Sequence, residues 1–336
     1  MRRLIAFSLA VAAVAAPAWR ALAWAETGHR YIGRLGVEAL PPSLPGFLHD
    51  PAVLDQIAEL SREPDRWRGA GKTHDSDRDA AHFIDLDDQG LTLSGQALEA
   101  LPERRADFEA ALLAAHSDVG KSGYLPYAIV DGWQQLAKDF AYWRIETAAL
   151  ARDKDPVHRA WYAMDLKLRQ ELIVRDLGVW SHYVGDASMP MHVSIHYNGW
   201  GDYPNPGAFT QEHIHSPFEG AYVKANISIE DVRARITPYQ ACSGPITPCV
   251  DAYLRRTWTT LVPTYELEKK VGWHAASPEG KAFVADRLAA GASALRDLVL
   301  DAWTASADMG VGYPTITVKD VQSGAVDPWD AIYGKA

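Results

Sequence analysis

Side chains that could hold a metal are concentrated in Ser181-His182-Tyr183-Val184-Gly185-Asp186-Ala187-Ser188-Met189-Pro190-Met191-His192. His182 and Asp186 stand four residues apart, so on a helix they project from one face. Met189-Pro190 then breaks the helix and carries His192 onto a separate track. The apolar approach from Leu172 to Val184 implies that this helix is buried. Ionisable groups inside a protein cost several kcal/mol unless something pairs them. A metal is the best reason available, with Asp186 bridging two ions and the rest of the chain supplying further ligands.

The other candidates come singly. Arg2-Arg3, the apolar run Leu4 to Ala16 and the small-x-small triplet Ala21-Leu22-Ala23 read as a secretory signal over residues 1–23. The run is shorter than the about 20 residues that span a bilayer. Cleavage after Ala23 leaves Trp24 first, with a free amine and a carbonyl oxygen as ligands, and His29 follows one helical turn on. Alone, His29 reads as an ordinary helix residue; its place beside the expected mature terminus changes that. Asp65 alone reads as a surface helix cap, and Arg68 shares its face. His82, in Ala81-His82-Phe83-Ile84-Asp85, reads equally as a satisfied core histidine and as a ligand. His215 and Glu219 are again four apart, a pair that is common on solvated helices. His196 and His213 rank below His192 and His215.

The elements that must position these residues are helical. Apolar spacing marks helices over 28–40, 53–60, 93–119, 129–149, 160–184, 251–264 and 278–306, with loops at 69–80 and 198–207 and a break at Gly123-Tyr124-Leu125-Pro126-Tyr127. The Gly/Pro/aromatic loop 198–207 is a plausible wall or lid for a site. A short β-like run, Thr315 to Val318, lies in the tail 313–336. With no internal repeat or clear linker, 24–312 reads as one domain, all-α. The 336 residues are 48% hydrophobic, enough for a sizeable core. The net charge of −10, near −13 once Arg2, Arg3 and Arg20 are removed, argues against a purely electrostatic grip on nucleic acid or anionic membrane. A cluster of metal ions would reverse that locally. Cys242 and Cys249 flank a turn-rich segment and suit one local disulfide in a secreted or periplasmic protein; two thiols with no histidine between them make a weak metal site.

In order along the chain, Trp24-x4-His29, Asp65-x2-Arg68, His82-Phe83-Ile84-Asp85, His182-x3-Asp186-x5-His192 and His215-x3-Glu219 closely resemble the S-one/P-one type single-strand-specific zinc nucleases and their relative, bacterial zinc-dependent phospholipase C. The resemblance runs from Trp24 to about Leu298, and all nine ligand positions of those proteins are filled. It implies a mostly α-helical fold around three zincs. One would be held by Asp65, His82, His182 and Asp186, a second by the Trp24 amine and carbonyl with His29 and Asp186, and a third by His192, His215 and Glu219. It further implies in-line attack on phosphorus by a water shared between the paired zincs. Asp65 would orient that nucleophile, and Arg68 would neutralise charge on the phosphoryl oxygens.

Both branches share the metal pattern. The short Trp24 to His29 spacing and the His82-Phe83-Ile84-Asp85 motif are nuclease-like: Phe83 would stack on a base and Asp85 would hydrogen-bond its edge. The implied activity is an endonuclease on single-stranded DNA or RNA that leaves 5′-phosphates, with 3′-nucleotidase activity as a companion. Glu219, where nucleases carry Asp, and Pro190-Met191-His192 are phospholipase-like, which keeps a phosphatidylcholine-type substrate as the alternative. A secreted zinc protein without catalysis would have no use for the Asp65-x2-Arg68 pair.

Overall fold

The computed structural model describes residues 24–68 and 70–334. The expected secretory signal, 1–23, lies outside them. The fold is all-α. Its principal helices are α1 (Ala25–Glu38), α2 (Pro51–Leu60), α3 (Glu63–Arg68), α4 (Arg105–Ala114), α5 (Leu125–Arg152), α6 (Pro156–Asp186), α7 (Ile246–Trp258), α8 (Leu261–Val271) and α9 (Pro278–Ser306).

Three of these helices start by one device, a capping side chain followed by proline. The Asp50 carboxylate accepts from Ala52 N–H at 2.8 Å and starts α2. Asp155 accepts from Val157 N–H at 2.7 Å and starts α6, and Ser277 Oγ accepts from Gly280 N–H at 3.0 Å and starts α9. Each cap satisfies a donor that the first turn leaves open, and proline at the next position has no N–H to satisfy.

Helices α5 and α6 form a hairpin across Asp153-Lys154-Asp155, and α1 packs along α9. The hairpin closes tightly at Gly132, where a Cβ would lie 2.0 Å from Cδ1 of Trp180. Trp180 Nε1–H donates to Ile129 O at 2.9 Å, so the indole is fixed against the α5 backbone. This contact sets the height of the C-terminal end of α6, which carries His182 and Asp186.

The tail packs onto the same hairpin. Gly310–Val311 pairs antiparallel with Ile316–Thr317, and Val311, Val318 and Val321 form a small apolar cluster with Ala141 and Ile145 of α5. Cys242 and Cys249 are joined by a disulfide. Among the described residues no helix is long and apolar enough to cross a membrane.

The structure departs from the sequence expectation in three places. The stretch 93–119 is not one long helical region. Isolated bridges join Leu86 to Thr92 and Leu91 to Ala97, Leu98–Ala100 is a single 3₁₀ turn, and only Arg105–Ala114 is a regular helix of any length. Pro102 prevents the turn from running on into α4. The expected helix 251–264 is two helices with a break at Thr259-Thr260, because Pro263 cannot donate to Thr259 O and its ring crowds that carbonyl. The solvent side of α6 carries apolar side chains: Val157, Met164, Leu168 and Leu172 are exposed, Leu172 by 39%, while Ile173, Leu177, Trp180 and Val184 are buried.

The close α5–α6 approach is testable. Gly132→Ala should destabilise the protein by about 1–3 kcal/mol through overpacking against Trp180, although alanine is the better helix former. Urea unfolding would register this as a lower midpoint; an unchanged or higher midpoint would show that the indole can move aside.

Candidate metal centre

Six separate segments deliver ionisable side chains to one buried place. α1 brings His29, α3 brings Asp65 and Arg68, and the last turn of α6 brings His182 and Asp186. Two 3₁₀ turns, Asp79–His82 and Pro190–His192, bring their terminal histidines. His215 opens a helical turn that widens to π-helical spacing over Pro217–Tyr222 and presents Glu219. Asp65 is therefore not a surface cap: it is the third residue of α3, 11% exposed, with Oδ1 3.9 Å from His182 Nε2.

Asp186 lies at the junction. Its Oδ1 is 3.5 Å from His29 Nε2, and its Oδ2 is 3.1 Å from His82 Nδ1 and 3.4 Å from His182 Nε2. The two carboxylate oxygens thus face different imidazoles. His29 stacks on His182 with ring centroids 3.7 Å apart. The second group follows: His192 Nε2 lies 3.2 Å from His215 Nε2, which lies 2.9 Å from Glu219 Oε2. Ligand atoms of His29, His182 and Asp186, of Asp65, His82 and His182, and of His192, His215 and Glu219 come within 4.8 Å of one another in each set.

Three imidazoles are oriented by backbone carbonyls. Nδ1–H of His182 donates to Ser61 O at 2.7 Å, that of His192 to His82 O at 2.6 Å, and that of His215 to Tyr197 O at 2.8 Å. A carbonyl can only accept, so the proton sits on Nδ1 and the Nε2 lone pair points into the cluster. Such tethering is how metal-binding histidines are held.

Burial sets the electrostatics. It pushes Asp65 up to about 7 and raises Glu219, and it raises Asp186 well above the carboxylate range, with the charges of Asp65 and Glu219 adding to its effect there. It holds His82, His182 and His192 well below the usual histidine value. Burial thus disfavours the charged form of these three carboxyls and three imidazoles, and the nearby guanidinium of Arg68 is engaged by Asp79 at 2.7 Å. Oδ1 of Asp65, Oδ1 of Asp186 and Oε2 of Glu219 are buried without a hydrogen bond. Buried acceptors grouped with inward lone pairs, in an N/O set without thiolates, fit divalent metal ions.

Trp24 is fully buried. Its indole Nε1–H donates to Gly185 O at 3.0 Å and to Ser188 Oγ at 2.9 Å. Its left-handed φ of 34° is rare for a side-chain-bearing residue. The indole holds the expected terminal ligand against the turn that carries Asp186.

A cleft of about 600 Å³ opens beside the cluster, lined by Arg68, Phe83, Asp85, Lys121, Tyr197 and Tyr203 among others. Phe83 and Asp85 are placed there by Gly123: Leu125 N–H donates to Phe83 O at 3.0 Å and Asp85 N–H to Ser122 O at 2.7 Å. A Cβ on Gly123 would lie 2.0 Å from Phe83 O, and its φ is 73°. Burial raises the Asp85 carboxyl well above its usual range.

The two lower-ranked histidines stay out. His196 uses both ring nitrogens, on Trp200 O at 2.6 Å and on Asp88 Oδ1 at 2.8 Å, and His213 is exposed. Sequence reasoning missed Asp79, the partner of Arg68, and the carbonyls of Ser61, His82 and Tyr197. A carbonyl has no sequence signature; the only hint of Asp79 is its place three residues before His82.

No family model matches the chain, and no curated protein matches it.

The pKa directions make metal binding depend on pH. Asp65, Asp186 and Glu219 hold protons more tightly in the metal-free protein than free carboxyls do, while burial favours the neutral form of His82, His182 and His192. Metal must displace the carboxyl protons, so its affinity should rise from about pH 5 to about pH 7. Competition against a chromophoric chelator would measure this; affinity that is flat or falls over that interval would contradict the assignment.

Proposed function

We propose that the protein is a three-zinc phosphodiesterase, a single-strand-preferring endonuclease on DNA and RNA with accompanying 3′-nucleotidase action. The observation that carries the proposal is the convergence, at one buried place, of every side chain that the S-one/P-one resemblance requires, with three histidines tethered so that their lone pairs face inward. Asp65, His82, His182 and Asp186 would hold one ion. His29, Asp186 and the freed amine and carbonyl of Trp24 would hold a second, and His192, His215 and Glu219 a third.

Zinc, when bound, supplies the positive charge that brings the pKa of water down towards about 7 and stabilises negative charge on phosphoryl oxygens. The remaining work belongs to the chain. Asp65 Oδ1, which has no hydrogen bond and faces His182, is placed to orient a water by accepting its hydrogen bond. Arg68, steered by Asp79 at 2.7 Å, offers a planar set of donors to the phosphoryl oxygens at the mouth of the cleft. Phe83 provides a ring on which a base can stack, worth about 1–3 kcal/mol. The Asp85 carboxyl, beside Phe83 in the cleft, is placed to hydrogen-bond a base edge.

A phosphatidylcholine-type phospholipase C is the second reading, favoured by Glu219 and by Pro190-Met191-His192. Zinc-loaded protein should be assayed side by side on single-stranded DNA, RNA and phosphatidylcholine. Cleavage of the single strands is expected; lipid hydrolysis with both nucleic acids intact would replace the first reading by the second.

The bridging role of Asp186 has its own test. Asp186→Ala should lower the zinc content by two ions per chain, because its two oxygens serve different sites. Elemental analysis of the purified variant would read this out, and loss of a single ion would count against the bridge.

A further inference from the structure

The loop that begins at His196 displays two aromatic rings to the cleft beside the metal cluster. Tyr197 is 55% exposed and Tyr203 45%, and both line the cavity that also holds Phe83. Large exposed rings lining one cleft call for a reason, because apolar surface left in water is unfavourable.

Looseness is not that reason, for the loop is fixed along its length. Trp200 N–H donates to Thr210 O and its Nε1–H to Pro204 O, each at 2.9 Å. His196 stacks on Trp200 with centroids 3.8 Å apart and meets the edge of the Tyr203 ring at 5.1 Å. Tyr265 O–H donates to His196 O at 2.7 Å and accepts from Gly199 N–H at 3.1 Å. The Asn205 side chain joins both N–H and O of Phe209 at 2.8 Å. The loop is a wall with its rings already set, and pre-set rings bind without the ordering cost of a mobile segment.

The wall is also tied to the chemistry. Tyr197 O orients His215, and Asn198 Oδ1 accepts from His215 N–H at 3.2 Å, which leaves the amide N–H₂ of Asn198 as a donor on the cleft. Phe83, by contrast, directly follows His82. The two sets of rings therefore stem from backbone that adjoins different groups of candidate ligands, and a phosphodiester at the cluster would lie between them.

We propose that Tyr197 and Tyr203 form a second stacking subsite, which receives the nucleobase next to the one that Phe83 takes, so that two neighbouring bases of a single strand are held at once. This rests on the nuclease reading and makes the smallest well-bound substrate a dinucleotide. A duplex cannot enter in this way without unstacking its bases. Selection for single strands then follows from the rings and not from any reading of base edges.

The test is calorimetric binding of a dinucleoside phosphorothioate and of the matching mononucleotide to zinc-loaded protein. The wild type should prefer the dinucleotide by roughly 5- to 150-fold, the worth of one stacked base. Tyr203→Ala and Tyr197→Ala should collapse that ratio, and Tyr203→Phe, which keeps the ring, should restore it; circular dichroism confirms that each variant is folded. Single-strand cleavage by a wild type that shows no dinucleotide preference, or an alanine variant that weakens both ligands equally, overturns the subsite alone. A wild type that binds neither ligand and cleaves only phosphatidylcholine overturns the nuclease reading and the subsite with it.

Discussion

The structure depends on one electrostatic constraint, the burial of carboxylates and imidazoles around Asp186. Asp186 has no exposure to water, and His29, His82, His182 and Glu219 are almost as deeply buried. Such groups cannot all be charged without a large desolvation penalty, and they cannot all be satisfied by one another. Positive ions shared between them would resolve both problems, since one cation compensates several acceptors at once. Helices α1, α3 and α6 and the two 3₁₀ turns can be understood as the means of holding these groups together against their own preference for water.

That constraint explains the rigidity around the centre. Imidazoles anchored to Ser61 O, His82 O and Tyr197 O cannot turn to find other partners. The indole of Trp24 is anchored on Gly185 and Ser188, so the residue expected to begin the mature chain is pinned to the turn that carries Asp186. The cleft is built on the same frame: Phe83 follows a cluster histidine, and Tyr197 orients another. Placing cleft residues and candidate metal ligands on adjoining backbone keeps their separation fixed, as the proposed positioning of a phosphodiester would require.

Much of the fold was legible in apolar spacing. The helices expected over 129–149, 160–184 and 278–306 lie within α5, α6 and α9, and the Met189-Pro190 break falls where the spacing places it. The misses have equally local causes. Pro263 divides a helix that apolar spacing alone would run together, and an alanine- and leucine-rich composition suggested more helix over 93–119 than Pro102 and the neighbouring bridges allow. The exposed apolar side of α6 was hidden because apolar residues on both faces look the same as deep burial when only periodicity is read.

For the site, the sequence by itself determined which side chains could serve: His182 and Asp186 on one helical face, His192 beyond a proline, His215 and Glu219 on one turn, and the Asp65 and Arg68 pair. Residue type and spacing carry that much because a helix puts residues four apart on one face regardless of what surrounds it. Only the tertiary structure decided that these segments meet, that His196 is instead satisfied by Trp200 and Asp88, that Asp79 steers Arg68, and that Tyr197 and Tyr203 face the cleft. Those outcomes turn on contacts between segments far apart in the chain and on backbone carbonyls that every residue possesses. Neither leaves a mark on local sequence, because the partner is chosen by packing and not by spacing.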